Sequence, residues 1–224
     1  LNLRKLIDPY CSLRITQEFV EDIFHEKDKI TEQLIPKKPL VGQINGLWAN
    51  SLGMGGVLPI QVCGLIDMDN KFELTGTQGD TMKESMKCAR SIAFSLLEND
   101  KDKVDMVDPK RGIHIHCPST STPKDGPSAG AGITLAIYSY LSKKPIHNFI
   151  AITGEIDLRG QITKIGGLDA KLNGAKRAGV KLALIPRENE DHLKILLEKK
   201  YISLDDTFKI ILVDHISDCL QYVF

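Results

Sequence analysis

No stretch of this 224-residue chain is apolar over the ~18 residues that a membrane span needs. The N-terminus, LNLRKLIDPYC, also lacks the apolar core of a signal peptide. Neither sign of charge is in excess: Lys+Arg and Asp+Glu are 29 each, so the strongly basic face of a duplex-binding protein is not expected. Aromatic residues are scarce at 6%, with a single tryptophan, Trp48. The five cysteines, Cys11, Cys63, Cys88, Cys117 and Cys219, are odd in number and form no CxxC pair. A disulfide framework is thereby excluded, and free thiols in an intracellular, reducing compartment, cytoplasm or organelle matrix, are expected. No G-x-x-x-x-G-K-[ST] is present, so the chain is not expected to hydrolyse ATP by the P-loop route.

What remains is an ordinary globular composition, 42% apolar and 26% charged, which excludes disordered and collagen-like chains. The first residue is Leu rather than Met, so a fragment or a processed product is expected. Residues 1–38 are polar, with a helix candidate from Thr16 to His25 that Thr16 would cap and whose apolar face is Phe19, Val20 and Ile23. The charged run EKDKITEQLIPKKP then reads as a linker. From Leu40, short apolar runs broken by glycine predict strands. A helix follows, with Thr81 and Glu84 at capping-box spacing and Met82, Met86, Ala89, Ile92, Ala93 and Leu96 as its stripe. Residues 99–111 read as a charged loop, GIHIHCP as a strand and SAGAGITLAIYSYL as a buried helix. NFIAITGEI and QITKI read as strands, LDAKLNGAKRAG as a helix ended by Gly179, and KLALIP, DHLKILLEKK, FKIILV and the C-terminus as strand, helix, strand and short helix. The pattern predicts an α+β domain, mixed sheets of short strands packed with several helices.

Two segments have the makings of chemistry. In Thr122-Pro-Lys-Asp-Gly-Pro-Ser-Ala-Gly130, Ser128 lies between a stiff turn and the first turn of an apolar helix. Helix starts leave N–H groups unpaired and partly positive, which suits an oxyanion at a substrate carbonyl. Pro127 has no N–H, so the donors would be Ser128 itself and Asp125 or Gly126. The segment alone is equally a serine cap after a Pro-Gly turn. In LDAKLNGAKRAG, Lys171 falls on the stripe of Leu168, Leu172 and Ala175 and within the first helical turn. Burial and the helix dipole both disfavour its cation, favouring a neutral amine that acts as general base. The other reading is a lysine extending its head to water over an apolar stem. Other features carry less. His114 and His116 alternate on one strand face near Cys117, without a fourth ligand at metal-site spacing. Thr153, Glu155, Asp157 and Arg159 cluster at one hairpin, and Trp48 reads as core rather than as a substrate shelf.

Spacing alone does not pair Ser128 with Lys171. The ordered motifs TPKDGPSAG (122–130), TGEIDLRG (153–160) and IGGLDAKL (165–172) do, because they resemble the Lon protease family. Gly46-Leu47-Trp48, residues 74–85 and the run from Ala178-Gly179 to Ile185-Pro186 extend the likeness over residues 40–224. The resemblance implies a Lon-type proteolytic domain with a Ser–Lys dyad: Ser128 nucleophile, Lys171 base, Thr153 supporting the lysine, Asp125 and Gly126 beside the serine. It implies residues 1–38 as the tail of an ATPase small domain, and no cofactor or metal in this chain. ATP and magnesium belong to an absent ATPase module, unfolded polypeptides are the substrates, and a homo-hexameric ring is the assembly, with neither nucleic acid nor membrane as partner. Residues 50–54, Asp169 and Asn173 depart from the family's usual pattern without removing a catalytic group. The rival from another class is a catalytically silent domain of the same fold, serving assembly or binding.

Overall fold

A computed structural model describes residues 16–23, 33–65, 71–98, 112–118, 125–202 and 204–224. The expected loop at 99–111, the first half of the expected linker, Cys11 and Thr122-Pro-Lys lie outside the described residues. The chain divides into a unit over residues 1–32 and a larger one over 33–224. In the smaller unit, helix α1 (Gln17–Ile23) is capped as its sequence predicts: Phe19 N–H donates to Thr16 Oγ1 at 3.2 Å.

The larger unit begins with an extended segment tied to it. Ile35 N–H donates to Ala178 O at 3.2 Å, and Asn148 Nδ2 donates to Pro36 O at 2.8 Å. Its elements are β1 (Gln43–Ala49), β2 (Gly55–Leu65), β3 (Phe72–Thr75), α2 (Asp80–Glu98), β4 (Gly112–His116) and α3 (Gly130–Ser142). There follow β5 (Ile150–Ile152), β6 (Glu155–Ile156), β7 (Ile162–Thr163), α4 (Leu168–Arg177), β8 (Leu182–Pro186), α5 (Glu190–Glu198), β9 (Lys209–Val213) and α6 (Ile216–Val223).

Seven strands form a mixed sheet in the order β3-β4-β2-β1-β5-β8-β9, and β6-β7 form a separate hairpin. β1 and β2, joined by a short turn, pair antiparallel with Gly46 opposite Leu58. β3–β4, β5–β8 and β8–β9 are joined through helices and run parallel, as crossover connections dictate. Side chains alternate between the sheet's two faces. Ile44, Ile60, Ile150 and Ile152 join one core with α2, α3 and α6, whereas Leu47, Val57, Ala151 and Ala183 join a second with α4 and α5. β1 and β5 are parallel neighbours, so their carboxyl ends, Ala49 and Ile152, lie at the same edge of the sheet.

Candidate active site

Ser128 occupies a single 3-10 turn, Pro127–Ala129, that feeds into α3. Gly126 enters the turn at φ 120°, ψ 151°, a conformation that only glycine adopts readily. Beyond β5 the chain leaves the sheet. Gly154 N–H donates to Ser128 O at 2.8 Å, Thr153 Oγ1 donates to the same oxygen at 3.3 Å, and Ala131 N–H donates to Gly154 O at 3.0 Å. The strand that the sequence predicts through residues 148–156 is therefore broken at Thr153-Gly154, whose hydrogen-bonding groups serve the serine turn.

Lys171 approaches from α4, packed on the other face of the sheet. Its neighbours Leu168, Leu172 and Ala175 are fully buried in the second core, and Lys171 is itself 4% exposed. The snorkelling alternative is thus not adopted. Nζ lies 2.9 Å from Ser128 Oγ and 3.0 Å from Thr153 Oγ1, and burial lowers the lysine pKa from 10.5 to about 8. The approach of α4 depends on two glycines. A Cβ on Gly55 would fall on the carbonyl of Ala170, and one on Gly174 would fall on the backbone of Gly55. Arg177 closes the contact by donating from Nη2 to Gly55 O at 3.0 Å.

The Asp125 carboxylate is turned towards α2, where it accepts from Met82 N–H at 3.0 Å and from Gly126 N–H at 2.9 Å. These two amides lower its pKa, the Met82 bond first. α2 begins at Asp80, so Thr81 lies inside the helix rather than at its cap, and the remote Asp125 receives the orphan amide instead. Of the donors expected for an oxyanion, the Gly126 amide is already engaged by that carboxylate.

The remaining sequence candidates separate from this cluster. The His114 and His116 rings both meet Thr75 Oγ1, at 2.8 and 2.7 Å, while Cys117 is buried. Among the described residues no three His, Cys, Asp or Glu side chains are grouped to hold a metal ion. Asp157 stabilises its own turn by accepting from the Arg159 and Gln161 amides, and Glu155 is exposed. Trp48 is 38% exposed, its indole lying over Gly56, which corrects the expectation of a core position. Ser85 escaped the sequence reading, although it lies on the buried stripe with Met82, Met86 and Ala89. A polar residue on an apolar stripe, the signal that marks Lys171, marks Ser85 too. Among the described residues no helix is long and apolar enough to cross a membrane.

A hydroxyl, a buried amine and a supporting threonine in one chain of contacts have the makings of nucleophilic acyl transfer. The sequence profile of the Lon protease (S16) C-terminal proteolytic domain matches residues 14–224. A Lon protease homolog of Acanthamoeba polyphaga mimivirus is 39% identical over 213 residues, 92% of this chain and 20% of the relative. The Lon protease of Campylobacter jejuni is 44% identical over 192 residues (81% and 24%), and that of Escherichia coli K12 is 39% identical over 165 residues (74% and 21%). The chain spans about a fifth to a quarter of the length of these relatives. With residues 14–224 matched to that profile, the chain belongs to the family of Lon protease C-terminal proteolytic domains.

Proposed function

We propose that this chain is the serine-endopeptidase part of an ATP-dependent, Lon-like protease, with the peptidase domain at residues 40–224 and an ATPase tail at 1–38. The observation that carries the reading is the 2.9 Å approach of Ser128 Oγ to the Nζ of a buried lysine. In its neutral form Lys171 donates one N–H to Thr153 Oγ1 and turns its lone pair towards Ser128. The Thr153 hydroxyl hydrogen is directed at Ser128 O, leaving the lone pairs of Thr153 Oγ1 for the amine. Lys171 takes the Ser128 proton as Oγ attacks a peptide carbonyl, and returns it to the departing amine. The ester left on Ser128 is then hydrolysed by water, with Lys171 again the base. This is the Ser-Lys variant of triad chemistry. The substrates are unfolded polypeptides, delivered to a homo-hexamer by an ATPase module that holds ATP and magnesium. The free thiols of Cys63, Cys88, Cys117 and Cys219 suit a reducing compartment.

Groups that act as one unit are non-additive. Ser128→Ala and Lys171→Ala should each abolish most hydrolysis of an unfolded polypeptide, and the double variant should be little worse than either. Losses that multiply would count against the dyad.

A further inference from the structure

The turn that carries Ser128 is held from behind as well as from the Thr153 side. Pro127 O accepts two hydrogen bonds, one from Gly130 N–H within the turn and one from Ser85 Oγ of α2 at 3.2 Å. The 127–128 peptide is trans and planar, so its C=O and the Ser128 N–H point in opposite directions. Fixing the Pro127 carbonyl therefore fixes the line along which the Ser128 amide points. That amide is, with the Asp125 amide, a donor left for an oxyanion, because the Gly126 amide is engaged by the Asp125 carboxylate.

Ser85 is built into this contact. It is 8% exposed, on a helix stripe otherwise made of apolar residues. A buried helical hydroxyl is ordinarily satisfied by the carbonyl four residues earlier, as Thr134 is by Gly130 O at 2.9 Å. Ser85 instead reaches across to Pro127. Room for it exists because residue 130 is glycine: a Cβ there would lie 2.7 Å from Ser85 Oγ.

We propose that Ser85 is a positioning residue whose hydroxyl orients the Pro127–Ser128 peptide, so that the Ser128 N–H is aimed at the oxygen of the attacked carbonyl. The proposal rests on the serine-peptidase reading above. Its role is confined to the transition state, so it should act on kcat and not on substrate binding.

The test uses the full-length protease, a fluorogenic peptide, a peptide boronic acid and the matching peptide carboxamide. The boronate adds to Ser128 Oγ and places an oxygen where the oxyanion forms, whereas the carboxamide binds without adding. Deleting an oxyanion donor costs about a hundredfold or more, and misaiming one should cost roughly tenfold. Ser85→Ala should therefore lower kcat and boronate affinity by that factor, leaving KM, carboxamide affinity and the acid limb of the pH profile in place. Ser85→Cys, nearly isosteric and a weaker donor, should fall between parent and Ser85→Ala, and it decides alone if the alanine variant does not fold. Parental kcat and boronate affinity in the variant, or boronate and carboxamide affinities falling together, would overturn the role of Ser85. If Ser128→Ala keeps parental activity, the peptidase reading itself fails; if Ser128→Ala is inactive while Ser85→Ala is unchanged, only the positioning role does.

Discussion

The ordinary lysine pKa is 10.5; burial on the inner face of α4 lowers that of Lys171 to about 8. Between those values the unfolded chain binds the extra proton, so the contribution of this residue to stability rises with pH across that window. Below pH 8 the full penalty of desolvating the amine remains, about 3 kcal/mol. Lys171→Met should therefore raise the melting temperature at pH 7, with an advantage that narrows as pH climbs from 8 to 10.5. A variant that is less stable than the parent at pH 7 would show that the bonds to Ser128 and Thr153 outweigh desolvation. On the proposed mechanism the neutral amine is the active form, so kcat/KM should increase as pH rises through about 8 and then level off. Thr153→Val removes the acceptor that aims the amine, and roughly a ten- to hundredfold loss of activity is expected. Thr153→Asp would place a carboxylate beside Nζ, stabilise the cation and move the acid limb upward. A limb that stays put in this variant would remove Lys171 as the titrating base.

At the level of elements, the site depends on how closely α4 can lie on β2. Gly174→Ala should favour the isolated helix by about 1 kcal/mol, yet it would drive a methyl into the Gly55 backbone, an overpacking that costs about 1–3 kcal/mol. The net expectation is a lower melting temperature together with lost activity, because Lys171 rides on the same helix one turn away. Gly166→Ala, where a methyl meets nothing within 4 Å, is the control and should leave both unchanged. Much of this assembly was legible from periodicity: Leu168, Leu172 and Ala175 announce a buried stripe, and Lys171 is plainly on it. The short, glycine-bounded apolar runs likewise announce the sheet. The exit of Thr153-Gly154 from β5 was hidden, because its cause is a hydrogen-bonding partner at Ser128 and Ala131, remote in sequence. The capping of α2 by Asp125, 43 residues from Met82, was hidden for the same reason. Trp48 misled because a bulky apolar side chain reads as core unless its position at the exposed end of a strand is known.

At the scale of the whole molecule, the chain corresponds to one part of its longer relatives. Its sequence has no G-x-x-x-x-G-K-[ST], and it spans about a fifth to a quarter of its relatives, so titration with ATP and magnesium should produce no thermal shift. A saturable shift would mean that the chain carries a nucleotide site of its own. The proposed dyad also divides between the two faces of the sheet: Ser128 precedes a helix of the first core, and Lys171 rides on a helix of the second. That second core is finished only by β8, α5 and β9, all of which follow Lys171 in the chain. A ribosome delivering this polypeptide therefore exposes the serine well before the lysine has a place to be buried. Until then the amine stays hydrated and protonated, and on the proposed mechanism the Ser128 hydroxyl is without its base. The order of synthesis thus places the serine first and its base last.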